Sequence, residues 1–431
     1  MSGAIVVGRL IAMLAKLKSV PLAIIVVIAT LVRFLNLSRP DALVFDEVYY
    51  VDGAKDLLAN GVEVDGSKPE FIVHPSLGKW LISLGIGIFG DDSFGWRFTT
   101  ALVGVISVVV IYLVALRLFD SKMVALLAAF LLAIDGLAIV MSRTALLDNF
   151  LALFALLAFW ALVEKQYLLM GIALGAAVST KWSGLYFLAA FLVLALLIEM
   201  RSRGIREMRI RDVIRILIAL PITGVIYLLS WTGWLISDRG WARASDANPL
   251  IALWNFHREI YGFHSNLDAE HPYRSHPWSW LVMGRPTSFF YESPKGCGEE
   301  QCSQEVLALG NPLIWWFGTI ALATLIGYFL SRRDQKSLLI LSSFAAGFLP
   351  WFLFPDRTMF TFYAISILPF LILAIAYLAR ELELHHPRAR AVLATASVAT
   401  FLLFLYFLPI NVAEVITYDQ WQSRMWLESW I

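Results

Sequence analysis

The chain alternates between long apolar runs and shorter polar segments. A helix needs about 20 mostly apolar residues to cross a bilayer, because only a fully hydrogen-bonded backbone is stable in hydrocarbon. Eleven runs approach this length, and the fourth and fifth are the short ones. The pattern predicts eleven transmembrane helices, at 20–37, 94–118, 123–141, 147–163, 167–180, 183–199, 213–235, 312–330, 337–354, 360–379 and 391–409.

Two polar segments, 38–93 and 236–311, are long enough to carry structure of their own. In the first, apolar residues recur at helical spacing over Glu47–Asn60, which predicts a short helix. Residues 76–90 are apolar, rich in glycine and too short to span a membrane, as is typical of an interfacial helix. The second segment is rich in Trp, His, Pro and Tyr. We expect it to lie along the membrane surface without forming a separate domain.

Composition agrees with this pattern. Of 431 residues, 59% are hydrophobic and only 16% are charged, and the mean hydropathy is +0.72. Soluble globular proteins carry about 25% charged residues, so this chain has too few to cover a soluble surface. Its net charge of +1 lacks the basic excess of a nucleic-acid-binding protein. The sequence therefore predicts a single all-α polytopic membrane domain and excludes a disordered chain or an ordinary soluble enzyme.

Basic residues mark the cytoplasmic side, because short cytoplasmic loops carry an excess of Lys and Arg. Six arginines lie within 201–215, and further basic clusters follow the eighth and tenth spans, at 332–336 and 380–390. With eleven spans, these clusters fall on the same side as Arg9, Lys16 and Lys18. We therefore expect a cytoplasmic N-terminus, an external C-terminus and two long polar segments that are both external.

The two cysteines, Cys297 and Cys302, lie five residues apart in the second external segment. Disulfides persist in oxidising compartments outside the cytoplasm, so a structural disulfide is the favoured interpretation. A metal-binding pair is the alternative, but it lacks flanking His or Cys ligands.

Two adjacent acids, Asp46 and Glu47, follow the first predicted span near the external membrane surface. Acidic side chains close to lipid are costly and usually functional. A helix start is the other interpretation, since an aspartate N-cap and a glutamate in the first turn both stabilise a helix. Position alone leaves the two interpretations open.

Further ionisable residues gather at the external ends of the predicted spans. A single Arg or Lys at such an end is usually an anchor whose charge reaches the membrane surface. Several basic residues on the side that disfavours them, beside acids, instead indicate an anionic ligand, which at membrane depth is a lipid-linked phosphate. The residues are His74, Lys79, Arg97, Asp135, Arg143, Asp148, Lys181, Asp356, Arg357 and Tyr363.

Carboxylates beside a basic phosphate site suit group transfer. A carboxylate takes a proton from an acceptor hydroxyl, while cations stabilise the departing phosphate. The residues themselves leave the transferred group open.

Four motifs resemble, in the same order, those of the protein O-mannosyltransferases. The resemblance covers nearly the whole chain and is nearest to the bacterial, especially actinobacterial, branch. Eukaryotic members carry a β-trefoil domain in the large outer loop, for which 236–311 is too short. The motifs are Phe45-Asp46-Glu47-Val48-Tyr49, His74-Pro75-Ser76-Leu77-Gly78-Lys79, Ser142-Arg143-Thr144-Ala145-Leu146-Leu147-Asp148 and Thr180-Lys181-Trp182-Ser183-Gly184-Leu185, with further similarity at Pro277-Trp278-Ser279-Trp280-Leu281 and Phe362-Tyr363.

The resemblance implies a GT-C glycosyltransferase of the plasma membrane whose active site faces outside. Such enzymes transfer mannose from polyprenyl-phosphate-mannose to Ser or Thr hydroxyls of polypeptides during export, near the translocon. The reaction inverts a β-linked donor into an α-linked product. Asp46 matches the proposed catalytic base of the family, and Glu47 matches the acid that helps to place the acceptor.

The resemblance also implies a donor-phosphate site with its supporting network. Family members are regarded as metal-independent, so no cofactor is expected, although the acids leave a divalent cation open. Expected partners are the polyprenyl-phosphate-mannose donor, a secreted Ser/Thr-containing polypeptide and the lipid bilayer, with no nucleic acid. By position, the candidates for the phosphate site and network are His74, Lys79, Arg97, Arg143, Asp148, Lys181, Arg357 and Tyr363.

Two other functions remain as alternatives. Another GT-C transferase would use the same kind of donor with a lipid or glycan acceptor, and it would share the acid in the first external segment. A transporter would place ionisable sites near the bilayer midplane, often in repeated halves. Here the ionisable residues gather at one face, and the sequence shows no internal repeat.

Overall fold

Apolar helices dominate the computed structural model, which describes residues 19–431. The predicted cytoplasmic residues Arg9, Lys16 and Lys18 lie outside the described part of the chain. Short 3-10 turns interrupt or extend the helices at Ile205–Glu207, Arg243–Ser245, Leu349–Leu353, Thr361–Ser366 and Glu428–Trp430. The α-helices are α1 (Val20–Phe34), α2 (Glu47–Asn60), α3 (Leu77–Phe89), α4 (Ser93–Phe119), α5 (Lys122–Ile134), α6 (Gly136–Ser142), α7 (Asp148–Val163), α8 (Tyr167–Thr180), α9 (Gly184–Arg203), α10 (Ile210–Leu217), α11 (Ala219–Ser230), α12 (Thr232–Ile236), α13 (Pro249–Ser265), α14 (Pro277–Trp280), α15 (Pro312–Arg332), α16 (Gln335–Phe348), α17 (Leu368–His385), α18 (Ala389–Asn411) and α19 (Tyr418–Gln422).

Within the described residues, six helical segments are long and apolar enough to cross a membrane, and the bent pair α5 and α6 makes a seventh span if it counts as one. Four further apolar helices, α1, α3, α7 and α8, are 10–17 residues long. Every predicted span coincides with helical structure. The predicted span 213–235 is built from α10, α11 and α12, and the predicted span 360–379 starts as a 3-10 turn before α17. The structure thus has a mainly helical membrane domain.

A small β-sheet was not predicted, so the all-α expectation is incomplete. Strands β1 (Val64–Asp65) and β2 (Lys68–Pro69) form a tight hairpin in the first external segment. In the second segment, β3 (Thr287–Glu292) pairs antiparallel with β4 (Cys302–Ala308), and β4 pairs with β5 (Val415–Thr417) from beyond α18. A partner strand more than 100 residues away leaves no local periodicity to detect.

The external segments pack on one another rather than standing apart. A second, smaller hydrophobic core joins the first segment to α12 and α13. A disulfide between Cys297 and Cys302 closes the connection from β3 to β4. Segment 236–311 therefore consists of α13, α14 and a hairpin, as a continuation of the helical domain. The buried members of the smaller core are Val62, Val64, Ile72, Trp231, Trp234, Ala252, Leu253, Phe256 and Ile260.

Helices α5 and α6 meet at a 60° bend at Asp135. A bend frees the last carbonyl groups of the first helix, which need other donors. The buried guanidinium of Arg33 supplies these donors: it donates to the carbonyls of Ala133 (3.0 Å) and Leu132 (3.2 Å). Sequence analysis gave Arg33 no role, because it lies inside an apolar run.

Asp135 completes the bend from the other side. One carboxylate oxygen caps α6 by accepting from the amide of Ala138 at 3.0 Å. The other accepts from the Asn311 amide and the Trp315 indole, at 3.0 Å each. The sequence places Asp135 among the candidate site residues, but in the structure its carboxylate stabilises the bend between α5 and α6.

Replacing Arg33 with Met is expected to lower the thermal unfolding midpoint in detergent micelles by several degrees. The substitution leaves buried carbonyls unpaired, which costs about 1–3 kcal/mol for each group. Arg117→Met is the matched control, since Arg117 pairs with Glu164 at the surface and such pairs contribute at most about 1 kcal/mol. Equal midpoints for the two variants would contradict this role.

Candidate active site

The predicted site residues come from separate helix ends that meet on one side of the helical domain. Asp46 and Glu47 begin α2, Asp148 begins α7, and Lys181 follows the last residue of α8. Arg97 lies in the second turn of α4. That helix is about 40 Å long at 1.5 Å per residue, so Arg97 lies near its first residue and far from its last. The structure then divides the predicted residues into an internal network and a cavity.

Glu47 is completely buried and paired with Arg97. Its Oε1 atom accepts from Arg97 Nε at 2.8 Å and from the amide of Ala145 at 2.7 Å. Its Oε2 atom accepts from Arg97 Nη2 at 2.8 Å and from the amide of Val44 at 2.9 Å. Because both oxygens are occupied from within the protein, Glu47 has no free edge for direct contact with an acceptor.

Arg97 is equally committed to the protein interior. Besides Glu47, its guanidinium donates to the carbonyls of Leu37 (3.3 Å), Pro40 (2.8 Å) and Ala42 (2.6 Å). These contacts fasten the loop before α2 to α4. Of the two predicted roles, phosphate ligand or network member, the geometry supports the network.

Arg143 also binds carbonyl groups. Its Nη1 donates to Val32 and Arg33 at 3.1 Å each and to Leu35 at 2.8 Å, and its Nη2 donates to Asn36 at 2.7 Å. The last carbonyls of a helix lack internal partners and carry partial negative charge, which a cation stabilises. Arg143 therefore anchors the end of α1.

Lys181 and Asp148 form a buried ion pair. The Lys181 Nζ lies 2.8 and 3.0 Å from the two Asp148 oxygens and 4.2 Å from the centre of the Tyr363 ring. Tyr363 is held in turn by Trp351, with ring centres 5.0 Å apart. The ring face attracts the ammonium and helps to hold Lys181 in place.

A cavity of about 220 Å³ opens beside Lys181. Its wall combines basic and aromatic side chains, as expected for a site that binds an anion attached to an apolar chain. Three predicted residues lie in it, together with others that sequence analysis missed. Among its lining residues are His74, Lys181, Trp182, Tyr261, His264 and Arg357.

His264 is the most informative of the missed residues. Its ring stacks on that of His74, with centres 5.1 Å apart. Its Nε2 lies 2.7 Å from the Val73 carbonyl and its Nδ1 lies 3.2 Å from Arg357 Nη2. Burial lowers its pKa to about 4, so the ring is neutral, donates to the carbonyl and accepts from Arg357. It lies in α13 without any motif around it, so the sequence offered no signal.

Asp46 is partly exposed at the start of α2 and makes no capping hydrogen bond there. Burial by the surrounding protein raises its pKa to about 6, and the Asp148 charge adds to the increase. Lys181 and a hydrogen bond from the Tyr50 hydroxyl act in the opposite direction. Within the described residues no ion pair holds this carboxylate. Of the two adjacent acids, only Asp46 is therefore free to react.

Lys79 lies apart from the cavity wall. Its ammonium pairs with Glu63, a buried acid that sequence analysis missed, and the Ser76 hydroxyl donates to the same carboxylate at 3.3 Å. Lys79 thus joins α3 to the segment after α2.

Two further observations bound the site. Over residues 19–431, no group of three His, Cys, Asp or Glu side chains is arranged to hold a metal ion. A wider groove of about 540 Å³ lies between loop 36–42 and the β3–β4 hairpin, but none of the predicted site residues lines it.

Solved structures of other proteins share this fold. The chain superposes on the S. cerevisiae protein O-mannosyltransferase Pmt1–Pmt2 complex bound to the sugar donor with a TM-score of 0.79, covering 97% of this chain and 94% of that one at 17% identity. It superposes on ArnT from *Cupriavidus metallidurans* bound to undecaprenyl phosphate with a TM-score of 0.61, covering 90% and 76% at 14% identity. The fold is that of the GT-C glycosyltransferases.

Sequence comparison then places the chain within one family. Residues 23–236 match the model of dolichyl-phosphate-mannose-protein mannosyltransferase, and residues 250–430 match that of the C-terminal four-TMM region of protein-O-mannosyltransferase. The chain is 32% identical to the polyprenol-phosphate-mannose–protein mannosyltransferase of *Mycobacterium tuberculosis*, over 94% of this chain and 91% of that one. The same identity extends over 95% and 92% with the *Corynebacterium glutamicum* protein of that name. The chain belongs to the protein O-mannosyltransferase family and is a glycosyltransferase, which confirms the resemblance.

Exchanging the two adjacent acids for their amides is expected to separate stability from chemistry. Glu47→Gln leaves the buried Arg97 charge uncompensated, which costs about 3–5 kcal/mol, so the unfolding midpoint in detergent should fall sharply. Asp46→Asn should keep or raise the midpoint at neutral pH, because burial already disfavours the Asp46 charge. An unchanged midpoint for Glu47→Gln would contradict the assignment of that residue to the internal network.

Proposed function

We propose that this protein transfers mannose from polyprenyl-phosphate-mannose to Ser or Thr hydroxyls of exported polypeptides, with inversion at the anomeric carbon. The relatives in *Mycobacterium* and *Corynebacterium* are named for the same donor and for protein acceptors. The observation that carries the proposal is Asp46, a carboxylate with a raised pKa that lies near the Lys181–Asp148 pair and has no ion-pair partner within residues 19–431.

The reaction is a single displacement. Asp46 accepts the proton of the Ser or Thr hydroxyl while its oxygen attacks the anomeric carbon from the face opposite the phosphate. The bond from that carbon to the phosphate oxygen breaks, and polyprenyl phosphate leaves with the electron pair. One displacement inverts the anomeric centre, so a β-linked donor gives an α-linked product.

The departing phosphate needs positive charge at the cavity. Lys181 and Arg357 both line it, and Arg357 has no carboxylate partner among the described residues. The neutral His264 holds Arg357 without competing for the anion. We therefore assign the phosphate contact to Arg357 and Lys181, with His74 in the same wall and Tyr363 beneath the Lys181 ammonium. Fixed cations stabilise developing charge strongly, so the proposed mechanism uses no metal ion.

Glu47 acts on the acceptor indirectly. Its contacts with Arg97, Val44 and Ala145 fix the turn that carries Asp46. Arg97 and Arg143 stabilise the loop and the helix end beside it.

We infer the orientation in the membrane from the basic clusters of the sequence and from which segments touch. The β4–β5 pairing puts the second external segment and the chain after α18 on one side, which requires an even number of spans between them. Arg239 donates to Asn60 and Gly66, so the first external segment lies on that side too. These pairings agree with eleven spans, and the basic clusters at 201–215, 332–336 and 380–390 then support an external C-terminus and an active site on the extracytoplasmic face of the plasma membrane. Acceptors arrive there as they leave the export translocon.

Asp46→Asn is expected to lower mannose transfer to a Ser/Thr-rich peptide about 10²–10⁴-fold in isolated membranes, the usual contribution of a general base. Asp65→Asn is the matched control, because Asp65 is an exposed acid of the same external segment. Full activity of Asp46→Asn would overturn the proposed mechanism. The assay contains a chelator, and a need for added cation would overturn the metal-independent route. Transfer to a glycolipid instead of the peptide would favour the other GT-C activity.

Activity is expected to decline as the pH falls below about 6, the pKa of Asp46, because the protonated carboxyl cannot accept a proton. The Tyr50 hydroxyl lowers this pKa, so its removal in Tyr50→Phe should raise the pKa and move the acidic limb of the profile to higher pH. The measurement is kcat/KM for the peptide against pH in both proteins. If the acidic limb of the kcat/KM profile stays in place or moves to lower pH in Tyr50→Phe, the assignment of that limb to Asp46 is contradicted.

A further inference from the structure

The residue before Asp46 has an unusual backbone conformation. Val44 to Glu47 form a turn in which the Glu47 amide donates to the Val44 carbonyl at 3.0 Å. Phe45, the first central residue, has φ +50°, and Asp46, the second, has φ −70° and ψ −3°. A positive φ at the first central position alone is the type II′ pattern, which favours glycine there. Among the described residues, Phe45 is the only aromatic one with positive φ.

Four aromatic rings surround the Phe45 side chain and account for its presence at that position. The ring of Phe289, in β3, stacks on it at 4.9 Å between centres. Phe360 and Phe362, which precede α17, contact it edge-on at 5.3 and 5.5 Å, and His271 does so at 5.9 Å. These rings come from three distant parts of the chain. We name Phe289, Phe360, Phe362 and His271 the aromatic cage.

We propose that Phe45 is a positioning residue of the transfer reaction: the aromatic cage holds its ring, and the ring fixes the turn that directs the Asp46 carboxylate towards the donor. Bulky residues in the left-handed region persist only where their surroundings over-determine them, and such sites cluster at active centres. A glycine would form the turn with less backbone strain, but it would have no side chain to pack in the aromatic cage. This inference rests on the proposed role of Asp46 as general base.

The groups that face Asp46 come from four elements. They are Tyr50 on its own helix, Asp148 at the start of α7, Lys181 after α8 and Tyr363 before α17. An Asp46 carboxylate that is free to turn away from them towards solvent loses the burial that raises its pKa. Its pKa then falls from about 6 towards its ordinary value of 3.8.

The test compares Phe45→Gly and Phe45→Leu with the unmodified protein. Glycine favours the turn but removes the ring, and leucine keeps apolar volume without stacking. We expect kcat to fall about 10–100-fold, the scale of a misplaced reacting group, with KM for the donor nearly unchanged. We also expect the acidic limb of the kcat profile to move to lower pH. If Phe45→Gly is too slow to profile, Phe45→Leu and Phe289→Leu supply the profile.

Phe407→Leu is the matched control. Phe407 is buried among Tyr406, Trp426 and Trp430, far along the chain from Asp46. Phe407→Leu should lose about as much thermal stability as Phe45→Leu, while the acidic limb of its kcat profile stays at the same pH. His271→Phe keeps a ring in the cage without a titrating group, and its limb should stay near pH 6.

The outcomes separate the two proposals. A purely structural role for Phe45 predicts lower activity with an unmoved acidic limb in all cage variants, and this result would overturn the inference while Asp46→Asn still showed its large loss of activity. Full activity in Phe45→Gly would overturn it equally. Full activity in Asp46→Asn would instead overturn the proposed function itself.

Discussion

The buried ion pair between Glu47 and Arg97 is the constraint on which the rest of the active site depends. Two opposite charges without solvent contact are stable only when their remaining hydrogen-bonding atoms are satisfied. Here Glu47 also accepts the amides of Val44 and Ala145, and Arg97 also binds three carbonyls of the preceding loop. One pair thus joins α2, α4, the loop between α1 and α2 and the α6–α7 connection. Asp46 has a defined position because its neighbour in the chain cannot move.

The basic residues around Asp46 and Lys181 serve two different purposes. Arg97 and Arg143 bind backbone carbonyls and hold loops and helix ends together. Lys181 and Arg357 line the cavity, where a phosphate would find them. Sequence position does not separate these groups, because all four lie at external helix ends. Planar guanidinium groups with five donors suit clusters of carbonyls, and this chemistry explains why the carbonyl-binding members are arginines.

The sequence predicts what depends on local pattern and misses what depends on distant partners. Helix Glu47–Asn60 and the apolar spans follow from hydrophobic periodicity, and ordered motifs bring Asp46 and Lys181 into one candidate site. Strand β5 was not predicted, because it pairs with residues more than 100 positions earlier. His264 was not predicted, because it contacts Val73 and Arg357 from a helix without a motif. The roles of the basic residues could be assigned only from the structure, because a sequence shows which residues are charged but not which groups they contact.

The external sheet has a consequence for the order in which the enzyme matures. Asp46 follows the first of the described helices, whereas β5 follows the last helix that is long enough to span a membrane. Strand β4 is not fully paired until β5 arrives, and β3, which depends on β4, supplies the Phe289 ring that packs on Phe45. A nascent chain therefore carries its reactive carboxylate from early in synthesis but acquires the finished wall beside it only at the end. The packing around Phe45 is therefore complete only after the last part of the chain has folded.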